Sequence, residues 1–173
     1  MNKKPKTVLY RRRKEQKTDY KRRLAQLKSD QQRLVIRYTN QRIITQVVEF
    51  NPTGDKVLAA VDSFALKPLG WKYSCKNLPA SYLTGLLIAK VAVAVGCKDV
   101  ILDAGMKSPQ KKGKTYAFLK GAVEGGLSIP YGDESIFPDN SRLTGEHITK
   151  YLKSLNQEAD VAKNLAEVKK KIK

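Results

Sequence analysis

The sequence predicts an α/β fold: a mixed β-sheet made of a three-stranded antiparallel meander followed by helix, strand and helix, with a basic arm before it and a basic helical tail after it. Three observations point there. Apolar residues alternate along three successive segments between Arg33 and Phe64, the pattern switches to helical spacing after Asn77, and positive charge collects at the two ends of the chain.

The arm comes first. Residues 1–37 hold 14 Lys or Arg against 3 acids, residues 38–149 hold 13 against 10, and residues 150–173 hold 7 against 3. A near-neutral middle with charged ends divides the chain into an arm at 1–30, a globular domain at 31–155 and a helical tail at 156–173. Within the arm, Arg11, Arg12, Arg13 and Lys14 are followed by Lys17, Tyr20, Lys21, Arg22 and Arg23. Tyr20, Leu24 and Leu27 fall at i, i+4 and i+7, so this stretch suits a helix with a narrow apolar stripe and cations on its remaining surface.

From Arg33 to Tyr38 the chain alternates, placing Leu34, Ile36 and Tyr38 on one face of a strand and Arg33, Val35 and Arg37 on the other. Thr39-Asn40 reverses it into a β-branched partner at Ile43 to Phe50. Asn51-Pro52-Thr53-Gly54-Asp55 turns it again before a third strand at Val57 to Phe64. Asn77 can then cap a helix with Pro79 in its first turn and Gly96 at its end; apolar almost all round, that helix must be buried on most sides. Val100-Ile101-Leu102 has the continuous apolar character of an interior parallel strand. Thr115 to Glu124 predicts an amphipathic helix, Gly145 to Leu155 another, and a tail helix follows from Glu158.

Composition removes several functions. A net charge of +18 over 173 residues calls for a polyanionic partner. With Cys75, Cys97 and His147 as the only soft ligands, there are too few for a zinc or iron–sulfur site. The two cysteines are expected as small buried hydrophobes and His147 as a surface or packing residue. The first thirty residues lack the apolar stretch of a signal peptide, and Leu78 to Val95 is interrupted by Pro79, Ser81, Thr84 and Lys90, so neither secretion nor a membrane span is expected. A cytoplasmic protein without cofactor or small-molecule substrate follows.

Two segments carry candidate chemistry besides the arm. KSPQKKGK at 107–114 places Lys107, Lys111, Lys112 and Lys114 beside Gly113, beyond the carboxyl end of a strand, where a flexible backbone can approach phosphate. It lacks the spacing of a nucleotide-binding P-loop. In Lys67 to Lys76, Lys67, Lys72 and Lys76 interleave with Trp71 and Tyr73; cations that hold phosphates beside rings that stack on unpaired bases favour RNA. The alternative is that Trp71 and Tyr73 only cover the sheet. Asp62, Asp103 and Glu124 are too few and too scattered for a two-metal site, so no enzyme is expected.

RLVIRYTN at 33–40, KNLPASYLTGLLIAK at 76–90, ILDAGMKSP at 101–109 and KGKTYAFLKGAVEGGLSIPYGDESIFP at 112–138 are long ordered strings, and over about residues 5–155 the chain resembles the archaeal form of the universal large-subunit ribosomal protein that binds 5S rRNA. That resemblance implies a ribonuclease H-like arrangement without catalysis. It places the protein in the central protuberance, joining 5S rRNA to the large rRNA beside a neighbouring 5S-binding protein. It further implies that Arg11 to Arg23 thread between RNA segments, that Arg33 and Arg37 face RNA, and that the basic loop is Lys107 to Lys114. The tail from Gln157 matches no pattern in that family and is expected as an exposed helix. The competing readings are a transient RNA-binding ribosome assembly factor and a nuclease using Asp103.

Overall fold

A computed structural model describes residues 8–106, 108–156 and 160–172. Its centre is strand β1, Gln32–Tyr38. Strand β2, Ile43–Glu49, lies antiparallel to β1 with Arg33 opposite Val48 and Tyr38 opposite Ile43. Strand β3, Lys56–Asp62, lies antiparallel to β2, with a bulge at Val47/Val48. Strand β4, Val100–Asp103, adds to the other side of β1 in parallel, so the order is β3-β2-β1-β4 and the sheet is mixed. This is the predicted α/β class. The 3-10 turn Ser63–Leu66 takes the last residues assigned to the third strand, because the Asp62 carboxylate accepts from the Phe64 N–H and pulls the chain out of the ladder.

Helix α3, Leu78–Ala94, starts where Asn77 Oδ1 accepts from the Ala80 N–H at 2.8 Å. It is apolar around most of its surface because most of that surface is covered. The sheet takes one side, and helix α4, Lys114–Glu124, takes another. The two helices approach closely at glycines: a Cβ on Gly85 would lie 2.1 Å from the Phe118 carbonyl oxygen, and one on Gly121 would lie 2.1 Å from that of Tyr82. Leu34, Ile36, Ile43, Val47, Ile88, Ala92, Phe118 and Ala122 form the core between sheet and helices. Cys97 lies in this core, and Cys75 is buried in a second one.

That second core corrects the expected boundary at residue 155. After α5, Asn140–Thr144, and α6, Glu146–Ser154, helix α7, Val161–Ile172, packs on α3. Its Val161, Leu165, Val168 and Ile172 join Leu66, Leu83, Leu86 and Leu143. The Asn164 side chain donates to the Gly70 carbonyl at 2.8 Å and accepts from the Lys72 N–H at 3.3 Å. The expected exposed tail is therefore part of the body, because Val161, Asn164, Leu165, Val168 and Ile172 recur at helical spacing on the buried side. Residues 157–159 and 173 of that tail lie outside the described residues.

The arm also differs from one continuous helix. Arg11–Lys14 forms a short turn of helix, α1, and Tyr20–Leu27 forms α2, with Gln16 between them at φ 52° in the left-handed region. Asp19 caps α2 by accepting from the Lys21 and Arg22 N–H groups. Among the described residues no helix is long and apolar enough to cross a membrane.

Candidate nucleic-acid interface

Strand alternation puts Arg33, Val35 and Arg37 on the sheet face opposite α3 and α4, and α2 docks over part of this face. The contacts are polar. Arg22 donates to the Gly105 carbonyl at 2.7 Å, Gln26 to the Leu102 carbonyl at 3.1 Å, and Arg23 pairs with Asp55 at 2.8 Å. Behind them runs a row of alternating charges. Asp55 also pairs with Arg33 at 2.6 Å, Asp103 lies 3.5 Å from Arg33, and Arg37 forks onto Asp103, 2.8 Å to its carbonyl and 3.3 Å to its carboxylate. Three guanidinium groups share two carboxylates, so the cluster keeps one excess positive charge.

The Arg37 guanidinium lies against Gly105, where a Cβ would come within 3.1 Å of it, and one side of Arg37 opens into a groove of about 810 Å³. Four separate segments deliver cations to this groove: Lys17 from the arm, Arg37 from β1, Lys76 ahead of α3, and Lys111, Lys112 and Lys114 from the loop before α4. Arg142 of α5 adds a fifth source. No acid lines it among the described residues. Gly113 starts α4 without any side-chain cap, so the positive end of that helix dipole faces the same groove. The loop is held tight: the Gly113 N–H donates to the Gln110 carbonyl at 3.0 Å, and the Lys112 N–H to that of Ile136 at 2.8 Å. Burial raises the pKa of the Tyr38 hydroxyl, on the groove wall, against the opposing effect of its hydrogen bond with Ser81. Chemically the groove can neutralise a phosphodiester backbone.

The structure sorts the predicted contacts. Lys17, Arg37, Lys76, Lys111, Lys112 and Lys114 share one groove. Arg11, Arg12, Arg13, Lys14 and Lys21 are exposed along the arm, with Tyr20 at its surface, while Arg22 and Arg23 are half-buried in holding α2 down. Arg33 is corrected: at 3 % exposure it is buried between two carboxylates and packs α2 to the sheet without reaching solvent. Trp71 is corrected as well. Also 3 % exposed, it belongs to the second core, with its indole N–H donating to the Ser74 carbonyl and its ring edge-on to Tyr73. Lys67 sits over the Phe64 ring and Lys72 faces α6 and α7, so the segment Lys67 to Lys76 forms no single stacking platform. Lys107 lies outside the described residues.

Arg142 was missed because it is a lone cation in a mixed-charge stretch; only the packing of α5 near α3 brings it to the loop. The three carboxylates considered for catalysis are apart in function. Asp62 pairs with Arg42, Asp103 with Arg33 and Arg37, and Glu124 with Lys169.

Fold and groove together define a class: a basic mixed α/β protein with cations from several segments gathered on one face. The particular family follows from comparison with known proteins. The family model described as ribosomal large subunit proteins 60S L5 and 50S L18 matches residues 4–99. Large ribosomal subunit protein uL18 of Methanobrevibacter smithii is 43% identical over 181 aligned positions, covering 95% of this chain and 93% of the relative. Those of Methanoregula boonei and Korarchaeum cryptofilum are 44% and 43% identical, covering 96% and 92% of this chain and 93% and 82% of the relatives. The chain belongs to this family of ribosomal large subunit proteins, whose members are structural components of the cytoplasmic ribosome and not enzymes.

Proposed function

We propose that this protein binds 5S rRNA and joins it to the large rRNA in the central protuberance of the large subunit, beside a neighbouring 5S-binding protein. The observation that carries the reading is the groove lined by Lys17, Arg37, Lys76, Lys111, Lys112, Lys114 and Arg142 with no acid in its lining among the described residues, while Lys17, Arg37 and Lys112 also pair with Glu15, Asp103 and Asp139. Loss of condensed counterions from RNA is the driving force such a surface exploits. The choice of 5S rRNA rests on the strings at 33–40, 76–90, 101–109 and 112–138. Strand order β3-β2-β1-β4, with β4 parallel to the central strand, supports a ribonuclease H-like arrangement.

The test compares two triple variants on 5S rRNA. Lys111→Gln, Lys112→Gln and Lys114→Gln remove three charges from the groove; Lys56→Gln, Lys98→Gln and Lys150→Gln remove three exposed charges outside it. The groove variant should flatten the slope of log affinity against log salt by about 2 to 3, at about 0.7 to 0.9 per phosphate contact, and erase a local footprint. Equal behaviour of the two variants at matched salt defeats the site.

A further inference from the structure

We infer that Tyr10 and Tyr20 form a stacking platform for unpaired RNA bases on the outer side of the arm. The inference rests on the RNA-binding reading above and names the kind of RNA that the arm takes. The two rings meet with centroids 5.3 Å apart and planes tilted by 50°, which ties the start of α1 to the start of α2 and leaves their other faces open. Tyr10 is 73 % exposed and Tyr20 36 %. Neither helix buries a single residue, so the rings contribute to no core.

Their surroundings select the occupant. Arg11, Arg12, Arg13, Lys14, Lys17, Lys21, Arg22 and Arg23 all lie within the same short span, against Glu15 and Asp19 alone. Both acids are already engaged: Glu15 pairs with Arg11 at 2.9 Å and Lys17 at 2.8 Å, and Asp19 caps α2. Eight cations within so short a span make a strong positive field around the rings, which attracts a polyanion. Rings and cations together suit single-stranded nucleic acid, whose phosphates meet the cations while its open bases meet the rings. A paired duplex offers its phosphates but keeps its base faces closed, so the rings add nothing to duplex binding. With Trp71 buried, this pair takes the stacking role that the sequence suggested for residues 67–76.

The experiment uses the full chain, a synthetic single-stranded RNA and an RNA duplex of equal length. The double variant Tyr10→Leu, Tyr20→Leu keeps apolar bulk and every charge but removes the π faces; Tyr10→Phe, Tyr20→Phe keeps the rings. The Leu variant should lose about tenfold or more in affinity for the single strand, the scale of one or two base–aromatic stacks, with an unchanged salt slope and unchanged duplex binding. The Phe variant should match the parent. In the parent, the ring protons of Tyr10 and Tyr20 should move upfield on adding the single strand and stay in place with the duplex. Equal loss on both RNAs, no loss on the single strand, or rings that do not respond each overturn the platform. A parent that captures a protein partner through these rings while they ignore RNA overturns it too. A parent that binds neither RNA overturns the RNA-binding reading and this inference with it, whereas a parent that binds both while the Leu variant is unchanged overturns the platform alone.

Discussion

Arg33 and Arg37 leave the same face of β1 two residues apart, and their guanidinium groups meet opposite fates. Arg33 points under α2 and is closed in by Asp55 and Asp103, whereas Arg37 reaches past Asp103 to the groove wall. Removing one partner of a buried ion pair destabilises the fold by leaving the other charge uncompensated, but a guanidinium closed off from solvent cannot meet a phosphate. Arg33→Met should therefore preserve RNA affinity and its salt slope, while Arg37→Met should weaken binding and flatten the slope by nearly one unit. Filter binding over a salt series measures both, and a large affinity loss in Arg33→Met with the fold intact would return that residue to the interface. The carboxylate between them is less replaceable. Asp103 serves two arginines and accepts from the Gly105 N–H at 2.8 Å, so Asp103→Ala leaves Arg33 with Asp55 as its one carboxylate partner and should cost about 2 kcal/mol in urea unfolding.

Helices decide more here than single residues. The α3–α4 contact is possible only because Gly85 and Gly121 let two backbones touch, and Gly121→Ala should destabilise by about 3 kcal/mol through forced separation of the pair. Helix α7 closes the other side of α3. Four of its apolar side chains are buried, worth about 1.5 to 3 kcal/mol each at most, and that total is comparable with the 5 to 15 kcal/mol that holds a domain together. Truncation after residue 156 should abolish cooperative thermal unfolding.

The same helix is latched by a polar triad: the Tyr82 hydroxyl donates to Glu124 at 2.5 Å, and Lys169 donates to both, 3.1 Å from Glu124. Burial raises the Glu124 carboxyl, but the hydrogen bonds from Tyr82 and Lys169 outweigh it and hold the group below its ordinary 4.5. A depressed carboxyl pKa stabilises the fold above the unfolded value and loses that contribution as pH falls through the folded one. Melting temperature should therefore drop below about pH 4.5, and Glu124→Gln should remove that part of the drop. An identical acid limb in parent and variant would show that the triad does not couple to stability.

At the scale of the molecule, the charge arranged along the chain predicts its behaviour with RNA. Deleting residues 1–30 should leave a folded body, since no arm residue is buried among those described, yet flatten the salt slope by several units as its phosphate contacts vanish. An unchanged slope would make the arm a passive tail, and loss of cooperative melting would show that α2 is needed to cover Arg33 and Val35.

Much of this was legible in residue order. Period-two alternation gave the meander, and the Asn77–Pro79 start with its nearly continuous apolarity gave α3, because each is a local rule acting within one element. The basic composition determined by itself that the partner is a polyanion. What tertiary structure alone decided is which cations remain available. Arg33 and Arg37 are equivalent in the alternation, and Trp71 looks as accessible as Tyr20; the separation came from Asp55, 22 residues away in sequence, from α2 lying down on the sheet, and from α7 returning to seal the second core. Arg142 entered the groove by the same route. Burial and ion pairing depend on neighbours brought together by folding, and no local pattern encodes which distant carboxylate or helix will arrive.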